Sequence, residues 1–169
     1  MVKVKICGLT RVEDIEAVNP LTVKPEYIGI VFAPSRRRVT PELALQLRRR
    51  LSPDIVPVGV FADESEEYMR GLVNNGVIDV IQTSSRMGEF LLFDSPVPGS
   101  GRTFDWSSIP EVNTPFFLAG GLSPENVADA VRRVKPFGVD VSSGVETLGV
   151  KDADKIKAFI KNAKNANLC

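Results

Sequence analysis

Two residues of this 169-residue chain combine the right chemistry with the right placement for acid–base work, Cys7 and Asp94. Cys7 ends the stretch Val2-Lys3-Val4-Lys5-Ile6-Cys7, whose period of two reads as a strand. Gly8 then frees the backbone to turn, and Thr10 is placed to cap a helix beginning near Val12. A thiol at a strand end, before a turn and a helix, lies where α/β proteins put reactive groups. Taken alone it is read first as a small buried residue, because free cysteine is among the most buried types. Asp94 closes the apolar run Phe90-Leu91-Leu92-Phe93, as an acid at a strand end or as a cap for the loop that follows. The chain has no histidine, which removes His-based triads and His-ligated metals. Acid–base catalysis must therefore come from carboxylates, lysines or a cysteine.

Two glycine-rich turns add a second kind of chemistry. Ala119-Gly120-Gly121 precedes a helical stretch, and Ser142-Ser143-Gly144 follows a strand. Glycine lets backbone N–H groups approach anionic oxygens, and helix N-termini add a favourable dipole. Each turn by itself reads equally as a tight connection; together, in consecutive loops, they are candidate phosphate cradles.

The elements that must hold these groups alternate between strand and helix. Val12–Val18 reads as a short helix with Glu13, Asp14 and Glu16 crowding its start. Residues 27–32 form a continuous apolar run, as expected of a parallel strand covered on both faces. Thr40-Pro41-Glu42 starts a helix with Leu43, Ala44, Leu47 and Leu51 on one face. A third strand spans 55–61 despite Pro57, a third helix spans 65–74 and ends at Asn75-Gly76, and a fourth strand spans 77–82. Further strands fall at Phe90–Phe93, 115–119 and 137–141. Further helices fall at 106–112, from Ser123-Pro124-Glu125 onward, and at about 152–163. Seven strands and about as many helices make a parallel α/β architecture, in which the strand ends carrying Cys7, Asp94 and both glycine turns share one face.

Composition narrows the function classes. Lys+Arg and Asp+Glu both total 21, so the chain lacks the broad basic field that nucleic acid requires. No apolar run reaches a membrane span, and no signal-peptide pattern opens the chain. Cys7 and Cys169 are the only cysteines, which argues against a disulfide framework and for a reducing cytoplasm. The length suits one domain, residues 1–169, with a substantial core.

Five motifs occur in order along the chain: Lys5-Ile6-Cys7-Gly8-Leu9-Thr10; Phe93-Asp94-Ser95; Gly99-Ser100-Gly101-Arg102-Thr103-Phe104-Asp105-Trp106; Ala119-Gly120-Gly121-Leu122-Ser123-Pro124-Glu125-Asn126-Val127; and Val139-Asp140-Val141-Ser142-Ser143-Gly144-Val145-Glu146. Together they resemble the phosphoribosylanthranilate isomerases of tryptophan biosynthesis. The resemblance implies a (β/α)₈ TIM barrel and a cofactor-free Amadori rearrangement of a small sugar-phosphate substrate. It assigns Asp94 as the acid, protonating the furanose ring oxygen, and Cys7 as the base, removing the proton at C2. Burial beneath the substrate would raise the Asp94 pKa, and nearby positive charge would favour a Cys7 thiolate. Arg37, in Pro34-Ser35-Arg36-Arg37-Arg38-Val39, matches the family's anthranilate-carboxylate binder, with Arg36 and Arg38 alternatives on the same loop. Gly120, Gly121, Ser142, Ser143 and Gly144 match its phosphate loops. Pro98-Gly99-Ser100-Gly101 is expected to form a lid beside Asp94.

The chain also departs from the family pattern. After Gln82, seven polar residues, Thr83-Ser84-Ser85-Arg86-Met87-Gly88-Glu89, stand where the family has a fourth helix, fifth strand and fifth helix. A parallel crossover normally takes a dozen or more residues, and seven extended residues reach at most about 25 Å. The expectation is thus a truncated barrel of about three-quarters size, with a junction at 83–89 left by an engineered internal deletion. Its opened wall would favour a monomer or a weak homo-oligomer joined through that edge. Asp94 would border the gap, so turnover is expected to be low or absent, and an inactive folded barrel fragment is the competing reading.

Overall fold

The computed structural model describes residues 1–94, 106, 109–110 and 112–166. The expected lid at 98–101, residues 107, 108 and 111 of the expected helix at 106–112, and Cys169 lie outside them. The first half follows the sequence reading closely: β1 is Lys3–Cys7, α1 Val12–Val18, β2 Tyr27–Val31, α2 Pro41–Arg50, β3 Val56–Val60, α3 Glu66–Asn74 and β4 Val80–Gln82. Helix starts are set by side chains that satisfy free backbone N–H groups. Thr40 accepts from Leu43 N at 3.3 Å, and Ser65 accepts from Tyr68 N at 3.2 Å. Thr10 does not cap α1; the N-cap is Arg11, and the buried Asp14 carboxylate accepts from the backbone N–H groups of Thr10 and Arg11. Pro57 is tolerated in β3 because pairing with β4 begins only at Val58 and Val80, so its missing N–H removes no ladder bond.

The second half holds the main correction. The barrel is closed, with eight strands in the order β1 to β8. The expected three-quarters barrel, with an open wall and a free edge for self-association, is not what forms. Residues Arg86–Met87 make β5, which pairs antiparallel with β4 through Gln82 and Met87. It pairs antiparallel again with β6, Phe90–Phe93, through Arg86 with Leu91 and Met87 with Phe90. Antiparallel strands need only tight turns, whereas parallel ones need a crossover. The returning chain is thus itself the missing strand, and the two helices that a parallel connection would require are absent from residues 83–89. The wall is completed by β7, Phe116–Leu118, and by β8, Gly138–Val141, which pairs with β1.

Around the second half lie α4, Val127–Val134, and α5, Ala153–Asn165, the latter capped by Asp152. The turn at 123–126 delays α4 by three residues relative to the Ser123-Pro124-Glu125 start expected. A short hairpin, β9 (Glu146–Thr147) and β10 (Val150–Lys151), was not anticipated. Two cores result. Val4, Ile6, Ile28, Ile30, Val139 and Val141 pack outward from the strands against Ile15, Leu47, Val127 and Ile160 of the helices. Inside the barrel, Val58, Met87, Leu92 and Phe117 pack with Tyr27, Phe90 and Phe137. Met87 is fully buried there, so the short β5 also supplies core volume. No helix among the described residues is long and apolar enough to cross a membrane.

Candidate active site

Alternation along each strand sends one face to the helices and the other into the barrel. In β1 the apolar set Val4 and Ile6 faces the helices, so Lys5 and Cys7 face inward. The last inward residues of the strands and the loops beyond them surround a cavity of about 220 Å³ at the barrel mouth. Cys7, Arg37 and Asp94 line it together. So do Gly120 and Gly121 from one glycine turn, and Ser142 and Ser143 from the other. Seven of the eight residues singled out by sequence therefore meet at one place. Gly144 is not part of the lining; it lies against the Leu122 carbonyl, so close that a Cβ would collide with it.

Local packing explains why Cys7 can sit where it does. Its register partner on β2 is Gly29, and a Cβ there would stand 2.5 Å from the Cys7 sulfur. Gly8, with φ of +80°, turns the chain after β1 and leaves room for the aliphatic stem of Arg37 to cross over it. The Ser142 hydroxyl donates to the Cys7 carbonyl at 3.1 Å, tying the loop after β8 to the end of β1. Gly120 and Gly121 adopt φ of +86° and +65°, and Asn126 pins their turn by donating to the Gly121 carbonyl at 2.9 Å.

Electrostatics around the thiol are set by groups that the sequence reading left unassigned. Lys5 is fully buried, and its Nζ donates to Asp140 Oδ2 at 2.8 Å. Burial is the strongest influence on Lys5 and disfavours its charge, but Asp140 and the Cys7 thiol outweigh it and raise its pKa. Burial likewise pushes the Cys7 thiol up; Lys5 and Lys151 pull it down, Asp140 opposes them, and burial wins. The positive charge expected near Cys7 is present, yet it does not make the thiol acidic. Asp94 is exposed at the cavity mouth, so the burial expected of it would have to come from a bound substrate. Two buried acceptors on residues that line the cavity, Gln82 Oε1 and Asp140 Oδ1, have no hydrogen-bond partner among the described residues.

Arg37 is held by a carboxylate of the chain itself. Its Nε and Nη2 donate to Glu146 Oε1 and Oε2 at 2.7 and 3.1 Å. Arg36 reaches Glu146 Oε2 at 2.5 Å and the Gly149 carbonyl at 3.1 Å. Lys5, Asp140, Glu146 and Lys151 are thus the site residues that sequence reasoning missed. Lys5 and Asp140 had a signal, since both stand in strand motifs on the face shared with Cys7 and Ser142. Glu146 closes the fifth motif, but its pairing with Arg37 across 109 positions left no signal.

The chain matches the model of the family described as N-(5'-phosphoribosyl)anthranilate (PRA) isomerase over residues 4–86 and 83–162. The two stretches meet at the turn between β4 and β5, where the chain departs from the family pattern. It is 37% identical over 195 aligned positions to the N-(5'-phosphoribosyl)anthranilate isomerase of Streptococcus pneumoniae R6, covering 98% of this chain and 97% of that protein. TrpF from Jonesia denitrificans superposes with a TM-score of 0.85 at 32% identity, covering 98% of each chain. Phosphoribosyl anthranilate isomerase from Thermotoga maritima does so with a TM-score of 0.81 at 33% identity, covering 98% of this chain and 100% of that one. A further phosphoribosyl anthranilate isomerase, solved with reduced 1-(o-carboxyphenylamino)-1-deoxyribulose 5-phosphate, superposes with a TM-score of 0.77 at 34% identity, covering 98% and 100%. With its closed eight-stranded barrel and a family match along nearly its whole length, the chain belongs to the N-(5'-phosphoribosyl)anthranilate isomerases.

Proposed function

We propose that the chain catalyses the Amadori rearrangement of N-(5'-phosphoribosyl)anthranilate to 1-(2-carboxyphenylamino)-1-deoxyribulose 5-phosphate. The observation that carries this reading is the meeting of Cys7, Asp94, Arg37 and both glycine-rich turns around one cavity. Asp94 gives a proton to the furanose ring oxygen as the C1–O bond breaks, and the anilino nitrogen lone pair forms the C1=N⁺ bond. Cys7 then removes the proton at C2, and the C2–H electrons form the C1–C2 double bond of an enolamine as the C1=N⁺ pair returns to nitrogen. Protonation at C1 and loss of the C2 hydroxyl proton yield the ketone.

Each assignment has physical support. The Arg37 guanidinium suits a planar carboxylate, and the turns at 120–121 and 142–143 suit a phosphate. A substrate seated in the cavity would cover Asp94 and supply the desolvation that holds its proton. Cys7, raised by burial, is a scarce but strong base. The low turnover expected of an opened barrel rested on Asp94 bordering a gap, and β5 fills that gap.

Freshly prepared substrate loses the fluorescence of its anthranilate group on conversion, and the full chain is expected to accelerate that loss. A folded protein that leaves the signal at its spontaneous rate would instead establish the inactive-fragment reading. Gly29→Ala tests the packing beneath the base. Its Cβ would press on the Cys7 sulfur, and displacing a reacting group by ~1 Å costs about 10²-fold in rate. Steady-state kcat is expected to fall by that order while far-UV circular dichroism stays unchanged.

A further inference from the structure

We infer that Glu146 is a positioning residue, which aims Arg37 at the substrate's aryl carboxylate; the inference rests on the proposed isomerase reading. Glu146 opens β9 just beyond the turn that follows β8, and its side chain is only 6% exposed. It gathers cations from two loops. Arg37 forks onto both of its oxygens, Arg36 reaches Oε2, and Lys151 Nζ donates to Oε1 at 2.8 Å. Four ordered donors leave this carboxylate no capacity for a ligand's donor. Burial opposes its charge, but Arg37, Lys151 and Arg36 prevail and hold its pKa at about 2, so it stays ionised wherever the enzyme works.

The geometry decides what Arg37 can still do. With Nε and Nη2 committed to Glu146, its Nη1 has no hydrogen bond among the described residues, and the side chain lines the cavity. A long, flexible side chain is thereby fixed before substrate arrives, which lowers the entropy lost on binding. Three cations against one carboxylate also leave the cluster with an excess of positive charge, suited to a substrate that carries a carboxylate and a phosphate. Lys151 extends the link: its Nζ also donates to the Ser142 carbonyl at 2.9 Å, in the loop assigned to phosphate. One buried glutamate thus sets the spacing between the two anion-binding ends of the site.

The test uses binding alone, by calorimetric titration of reduced 1-(o-carboxyphenylamino)-1-deoxyribulose 5-phosphate and of the same compound lacking the carboxylate. Glu146→Gln is expected to weaken the carboxylated ligand roughly tenfold, the scale of one charge-assisted contact, and to leave the des-carboxy ligand unchanged. In an Arg37→Met background, Glu146→Gln should add nothing further. Glu146→Asp keeps the charge, shortens the reach, and carries the same selective expectation should the glutamine variant fail to fold. Equal weakening of both ligands would mean a merely structural role and overturn the inference. Unchanged or tighter binding of the carboxylated ligand would overturn it too, by making Glu146 a bystander or a competitor. If the unaltered protein binds neither ligand, the isomerase reading itself fails, and the inference with it.

Discussion

Cys7→Ala is expected to lower kcat by about 10³-fold or more while the barrel stays folded, because losing a positioned general base costs 10²–10⁴-fold. Alanine fits the space of the cysteine, and Cys7 contributes little volume to either core. Asp94→Asn should fall by a comparable factor, and the double variant should be scarcely worse than either, since acid and base act as a unit. The pH profile separates this role from a structural one. The thiol pKa is raised by burial, and the base works only when deprotonated. The rate with wild-type protein should therefore climb with pH, roughly tenfold per unit, while Cys7 and Asp94 both remain mostly protonated, and level off once Asp94 loses its proton. A Cys7→Ala variant with near-normal turnover would remove Cys7 from the chemistry.

Lys5→Met is expected to cost about 3–5 kcal/mol of stability, because it leaves the Asp140 carboxylate buried without its partner. Among the described residues Asp140 Oδ1 has no hydrogen-bond partner, so losing Lys5 strips the partner of its other oxygen as well. Urea denaturation measures the loss. Replacing both members, Lys5→Met with Asp140→Leu, should recover most of it, since a buried pair often contributes little relative to apolar residues of similar volume. Recovery should not extend to turnover, because the ammonium also draws the Cys7 thiol downward. The Lys5 pKa is raised in the fold, so the pair's stabilisation is complete below the ordinary lysine value and is lost only as pH rises through the raised one. Acid should leave the ammonium's side of this pair intact. A Lys5→Met protein as stable as the parent would contradict the assignment.

Much of the site was legible because its signals are local. Cys7, Asp94 and the two glycine turns each sit at the end of an apolar run, and parallel strands bring such ends to one face. Helix starts were legible where one side chain satisfies a nearby N–H, as at Thr40 and Ser65. Misreadings came where the outcome depended on a distant partner. Residues 83–89 read as a helix-free return to a parallel strand, because they fall short of the dozen residues a crossover normally takes. That reading does not apply once the segment reverses and pairs on both sides as β5.

The period of two in β1 shows what each level of structure decided. Spacing alone put Val4 and Ile6 on one face and Lys5 and Cys7 on the other. It could not say which face lies inside, because a barrel surrounded by helices turns its most apolar face outward. Closure chose the inner face for Lys5 and brought Asp140 to it from 135 residues away. The same closure set Glu146 beneath Arg37 and converted a seven-residue gap into a strand. The order of elements and the identity of the strand-end groups follow from sequence, because hydrophobic periodicity and capping act over a few residues. Which charges meet was settled only by the tertiary structure, because long-range pairing brings together residues whose local sequences carry no trace of one another.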